Sequence, residues 1–104
     1  MDTTYNNNDD KASQVYILHF KQPYWGNARH YVGYTTIGAN NRIEKHRKGQ
    51  GSLLVNYAHN KLGIDFEVGA IFDCDNRVLA RHLELKLKRG KNLKHHCEIC
   101  NGQH

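Results

Sequence analysis

Two short apolar runs, VYILHF at residues 15–20 and HYVGYT at residues 30–35, set the main constraint on how this chain can fold. Both read as strands, being rich in β-branched, aromatic and aliphatic side chains. Each carries a tyrosine, Tyr16 in the first and Tyr31 in the second. Residues 21–29 between them hold Pro23 and Gly26. That connection is longer than a two-residue turn, and Tyr24 and Trp25 are placed to cap it. Taken alone, Tyr16 and Tyr31 are ordinary strand aromatics, because a flat ring suits a half-buried pleat.

Downstream, the segment Gly38-Ala39-Asn40-Asn41 breaks the strand pattern. Asn41 followed by Glu44 resembles a capping box, so a short helix is expected from there to Gly49. Gly51-Ser52 opens a second helix over residues 53–62, closed by Gly63. Residues 64–73 alternate as a third strand, with Ile64, Phe66, Val68 and Ala70 on one face. Asp75-Asn76 starts a third helix over residues 77–89, with Leu79, Leu83 and Leu87 as its apolar stripe and Val78 and Leu85 beside it. Gly90 stops it. The expected order is β-β-α-α-β-α. This is an α/β (α+β) fold, a small three-stranded antiparallel or mixed sheet flanked by helices. Residues 1–13 read as a polar leader, 14–93 as the folded domain and 94–104 as a tail containing Cys and His.

A chain of 104 residues suits one domain with one modest core. No apolar run approaches the roughly 20 residues that span a bilayer. The first residues carry no signal-peptide stretch, so a reducing, cytoplasmic setting without a membrane partner is expected. The three cysteines are too few and too unevenly placed for a disulfide framework.

The formal net charge is +5, and it is clustered. Residues 42–48, RIEKHRK, hold four cations and one anion; residues 77–94 hold seven cations and one anion. Such clustering favours a polyanionic partner, nucleic acid first. Arg42 and His46 stand one helical turn apart and share a face. Together they offer paired guanidinium donors and an imidazole to a phosphate, or simply form an exposed basic face. Glu84 is the only acid between Arg77 and Lys94. At helical spacing it joins Arg77, Arg81 and Lys88 in one stripe. It is either a salt-bridge partner of Arg81 and Lys88 or a carboxylate that holds a metal ion beside a phosphodiester.

The set VYIL, HYVGYT, RIEKH and LARHLELKLKRGKN, in that order, resembles the GIY-YIG nuclease family, in particular its small stand-alone members. QVY stands where the family has its first triplet, and Tyr31-Val32-Gly33 where it has the second. Arg42 and His46 match the helical arginine and the histidine of one branch, Glu84 the metal-binding glutamate, and Asn92 the asparagine near the end of the core. The match covers residues 14–92. It departs from the pattern in a longer gap between the tyrosine elements, which implies an enlarged loop through Tyr24-Trp25-Gly26, and in a short interval from Glu84 to Asn92.

The resemblance implies hydrolysis of DNA, double-stranded or branched, with one divalent ion, Mg or Mn, held by Glu84. Tyr16 would be the general base, His46 would take the proton from its phenol, and Tyr31 would position the water. Arg42 would stabilise charge on the phosphate. Lys45, Arg81, Lys88 and Arg89 would hold the nucleic-acid backbone. Gly33 suits a place where backbone packs closely under the site. A non-catalytic nucleic-acid-binding module on the same scaffold is the alternative. The tail adds a separate possibility: Cys97 and Cys100, with His95 and His104, could supply four zinc ligands, or Cys97 and Cys100 could be a plain pair of thiols. On the tail alone, the chain would be a small zinc-stabilised interaction protein.

Overall fold

The strand β1 (Ser13–Phe20) is central. It pairs antiparallel with β2 (His30–Thr35) on one side and with β3 (Phe66–Cys74) on the other. The computed structural model describes residues 11–90 and 93–102. Between β2 and β3 lie α1 (Ala39–Arg47) and α2 (Leu53–Val55), the latter running directly into a π-helical segment, Asn56–Lys61. After β3 come α3 (Arg77–Arg89), α4 (Leu93–His96) and α5 (Glu98–Asn101). This is a small α+β domain with an antiparallel three-stranded sheet. The first ten residues of the expected leader lie outside the described residues, and Ser13 already belongs to β1.

The run at residues 15–20 is continuous rather than alternating because β1 is covered on both faces. Val15 to Phe20 are all buried. Tyr16, Leu18 and Phe20 point one way, into a cluster with Ala39 and Ile43 of α1, Val55, Ala58, Ile64 and Phe66. Val15 and Ile17 point the other way, toward Val32, Ala70, and Ala80 and Leu87 of α3. Helices thus cover both faces of the sheet, which leaves the domain two thin cores rather than one.

The expected face of the third strand is overturned. Ile64 lies before the strand, and Phe66 and Val68 pack with the Tyr16 cluster, but Ala70 joins the opposite one. The reason is a bulge. Ile17 pairs with Ala70 and Leu18 with Val68, so Gly69 is the extra residue. One inserted residue flips every later side chain to the other face.

Three helix features also differ. The capping box is absent: Gly38 is the N-cap of α1, with no side-chain cap, and the Asn41 side-chain Nδ2 instead donates to the Ile37 carbonyl. The second helix does form behind Ser52, whose hydroxyl accepts from the Leu54 and Val55 amides, but it widens after one turn, as the Leu62 amide donating to the Tyr57 carbonyl shows. On α3 the bounds are as the sequence implies and Asn76 caps it. Its buried line, however, is Ala80, Glu84 and Leu87, while Leu79 is 50% exposed. Leu83 packs at the edge of the core. In the hairpin connection Tyr24 does cap, stacking edge-on against Phe20 and donating to the His30 carbonyl, whereas Trp25 stands 78% exposed.

The bulge also makes room. A Cβ on Gly69 would lie 2.6 Å from the Cys97 sulfur and 3.4 Å from the Ile17 carbonyl oxygen. Gly69→Val is therefore expected to destabilise the domain by about 1–3 kcal/mol through overpacking. Urea unfolding measures this, and an unchanged midpoint would mean that Cys97 does not sit against the strand.

Candidate active site and metal centre

Tyr16 pairs with Gly33 across β1 and β2, and Leu18 pairs with Tyr31, so both tyrosines project from one face of the hairpin. Their ring centres are 6.3 Å apart. Gly33 is the floor beneath them, as its place in the sequence suggests. A Cβ there would lie 2.5 Å from the Tyr16 hydroxyl oxygen and 3.0 Å from the Tyr31 ring. From α1, His46 closes the group. Its ring centre is 5.7 Å from that of Tyr16 and 5.6 Å from that of Tyr31, and its Nε2 is 2.7 Å from the Tyr16 hydroxyl. His46 is wholly buried, and a Cβ on Gly51 would collide with its Nδ1.

The tautomer follows from the hydrogen bonds. The Ser52 amide donates to His46 Nδ1 at 3.3 Å, so that nitrogen offers a lone pair. The neutral ring then carries its proton on Nε2 and donates it to the Tyr16 oxygen. In this arrangement the Nε2–H of His46 supports a negative Tyr16 oxygen, and the expected transfer of the phenol proton to His46 would require the other tautomer. Burial, and then the Arg42 charge, lower the His46 pKa to about 4, which keeps the ring neutral. Burial raises the Tyr16 pKa above the ordinary tyrosine range, with Tyr31 adding to the effect. Arg42, through its hydrogen bond and its charge, pulls the other way. Arg42 also lines a cleft of about 440 Å³ with Tyr34, Thr35, Thr36, Ile37 and Arg77.

Glu84 sits on the inner side of α3, 8% exposed, against the other face of the sheet. Both of its expected neighbours reach it, Lys88 at 3.1 Å and Arg81 at 3.7 Å. Its charge is felt at Tyr16, where it adds slightly to the upward shift. Arg81 also lies over the Tyr34 ring, 5.4 Å from its centre. Lys45 and Arg89 are exposed. Asn92 lies outside the described residues.

A second cluster occupies the hairpin end of the sheet. His19 and His30 are register partners, with His19 Nδ1 3.2 Å from His30 Nε2. Cys97 Sγ lies 3.4 Å from His19 Nδ1, and Cys100 Sγ 3.6 Å from the same nitrogen and 3.4 Å from His30 Nε2. All four ligand atoms are within 4.8 Å of one another, and the group can hold a metal ion. Of the expected set, the structure brings together only part. Cys97 and Cys100 take part, but His95 is exposed and outside the cluster, and His104 lies outside the described residues. Nothing in their spacing marks His19 and His30 as ligands. The available signal was that a hairpin closing near residues 20 and 29 must bring the two imidazoles side by side.

His46 gives the first site a measurable signature. Its folded pKa lies below its unfolded value of 6.5, so the unfolded chain binds the proton more readily. Its contribution to stability is complete above 6.5 and is lost as pH falls toward about 4. His46→Gln, which cannot titrate, is expected to show a shallower fall in melting temperature across that window than wild type. Superimposable profiles would show that His46 is not held neutral by the fold. The chain matches no protein-family model, no curated protein and no solved structure, so a function must be inferred from the two clusters themselves.

Proposed function

We propose that this protein is a metal-dependent endonuclease of the GIY-YIG type, hydrolysing DNA phosphodiester bonds. The observation that carries the proposal is the Tyr16 hydroxyl: a buried phenol oxygen held at 2.7 Å by a buried His46, next to a second tyrosine and an arginine that opens onto a cleft. A buried structural tyrosine also needs a partner for its hydroxyl, but not a second tyrosine and an arginine beside it. The +5 charge and the basic stripe of α3 are consistent with a polyanionic substrate.

In this reading, phosphate enters at Arg42, whose guanidinium offers paired donors to its oxygens. Tyr16 takes the proton of the attacking water, the water oxygen bonds to phosphorus, and the bond from phosphorus to O3′ breaks. Tyr16 is a phenol in the resting protein, so it must first lose its proton to solvent. The Nε2–H of His46 then donates to the phenolate and, together with the Arg42 charge, stabilises it. Tyr31 borders the same space and orients the water.

Glu84 would hold the divalent ion, Mg or Mn, which supplies positive charge for the departing alkoxide. The residues fit such an ion: magnesium is commonly held by one or two carboxylates and completed by substrate phosphates. Lys88 and Arg81 are about half exposed, so both can leave Glu84 for neighbouring phosphates when DNA arrives. Lys45 and Arg89 extend the basic surface.

The second reading, a nucleic-acid-binding module without catalysis, draws on the two ion pairs that already satisfy Glu84. Supercoiled plasmid distinguishes the two. Wild type should nick it only with Mg or Mn present, and Glu84→Gln should retain the fold and DNA binding while losing metal-dependent nicking. Nicking by Glu84→Gln at the wild-type rate would remove Glu84 from the metal site, and absence of nicking by wild type would leave the binding module. Tyr16→Phe keeps the ring in its place. It should cost about 1 kcal/mol in stability but roughly a hundredfold or more in single-turnover rate. A Tyr16→Phe variant that cleaves like wild type would make Tyr16 structural.

A further inference from the structure

We infer that His19, His30, Cys97 and Cys100 form a structural zinc site that fastens the C-terminal segment to the hairpin. It is independent of the proposed cleavage chemistry and lies on the other face of the sheet from the tyrosines.

The first support is metric. Zinc bonds of about 2.3 Å to sulfur and about 2.0–2.1 Å to nitrogen give a tetrahedron with edges of about 3.6 Å between N and S and about 3.3 Å between two N atoms. The observed N–S separations are 3.4, 3.4 and 3.6 Å, and the N–N separation is 3.2 Å. Four of the six edges thus match a zinc ligand shell, and the other two are no longer than 4.8 Å.

The second support is that hydrogen bonding alone, through weak thiol donors, satisfies the cluster poorly. His19 Nδ1 faces three polar atoms at once: His30 Nε2, Cys97 Sγ and Cys100 Sγ. A ring nitrogen carries either one proton or one lone pair, so it serves one such partner well. A cation at the centre satisfies all four atoms together.

The third support comes from the fold. Helices of four residues are too short to persist alone. Neither α4 nor α5 has a fully buried residue; Leu93 packs only at the edge of the core under α3, and the His96 ring lies edge-on to Phe72. The cysteine that links them, Cys97, is nevertheless fully buried, in the space vacated at Gly69. A metal cross-link adds to the shallow anchoring that these contacts give. Two thiolates and two imidazoles select zinc over magnesium or calcium, which prefer oxygen. Four protein ligands leave no open coordination position, so the ion is structural rather than catalytic. On binding, the two thiols release their protons to solvent.

The test uses the full chain purified from zinc-supplemented culture. Elemental analysis should find one zinc per chain. Cys97 and Cys100 should resist a thiol reagent until a chelator is added, and chelation should lower the melting temperature. The cobalt-exchanged protein should show the intense visible bands and the charge-transfer absorption of a tetrahedral site with two thiolates. His95→Ala should keep the metal and His19→Ala should lose it. His30→Cys should keep it and strengthen the charge-transfer band by adding a third thiolate. Only trace zinc in the wild type, a Cys97–Cys100 disulfide under non-reducing conditions, or a cobalt spectrum lacking thiolate charge transfer would overturn the site. So would full zinc in both His19→Ala and His30→Ala. The wild-type cobalt spectrum decides the matter even if a histidine variant fails to fold.

Discussion

The register of one strand pair governs both clusters. With β1 and β2 aligned as they are, Tyr16 lies over Gly33 and His19 lies beside His30. These two pairs are three residues apart along β1 and therefore face opposite sides of the sheet. A slip of one residue would turn Tyr16 toward α3 and separate the histidines. Register is specified here because both faces of β1 are buried, so each misplaced side chain would exchange one packed core for another. The antiparallel bond from the Phe20 amide to the Arg29 carbonyl, at 2.7 Å, holds the far end in step.

Glycine decides where functional side chains can approach the backbone. Gly33 leaves the space taken by the Tyr16 hydroxyl, and Gly51 the space taken by the His46 ring. The Ser52 amide next to Gly51 then selects the tautomer of that ring. Thus a short turn after α1, far from Tyr16 in sequence, fixes whether the histidine donates to the phenol oxygen or accepts from it.

Local signals in the sequence located much of this. The hairpin, the bounds of α3 and the pairing of Glu84 with Arg81 and Lys88 follow from apolar runs, the Asn76 cap and helical spacing. Tyr16 and His46 could be named from their residue types and order. Tertiary effects hid the rest. The bulge at Gly69 breaks the two-residue period, so Ala70 leaves the face that alternation assigns it. The leucines of α3 outnumber the space beneath the helix, and the buried line runs through Ala80, Glu84 and Leu87 instead. The candidate metal ligands join residues 19 and 30 to residues 97 and 100, and no motif of local spacing spans that distance. His95 lies nearer in sequence and points to solvent.

The chemistry at Tyr16 is a balance between burial, which holds it as a phenol, and the cationic and donor groups that favour its phenolate. Under the proposed function, that balance suits a base that becomes active only when substrate and metal are in place. It also leaves a distinct alternative in which the tyrosine oxygen attacks phosphorus itself. Single-turnover cleavage in water labelled with oxygen-18 separates the two. The account predicts that each cut places one labelled oxygen on the 5′-phosphate, with a 3′-hydroxyl on the other product and no DNA attached to protein. Unlabelled phosphate with DNA covalently joined to Tyr16, or no cleavage at all with magnesium or manganese present, would contradict it.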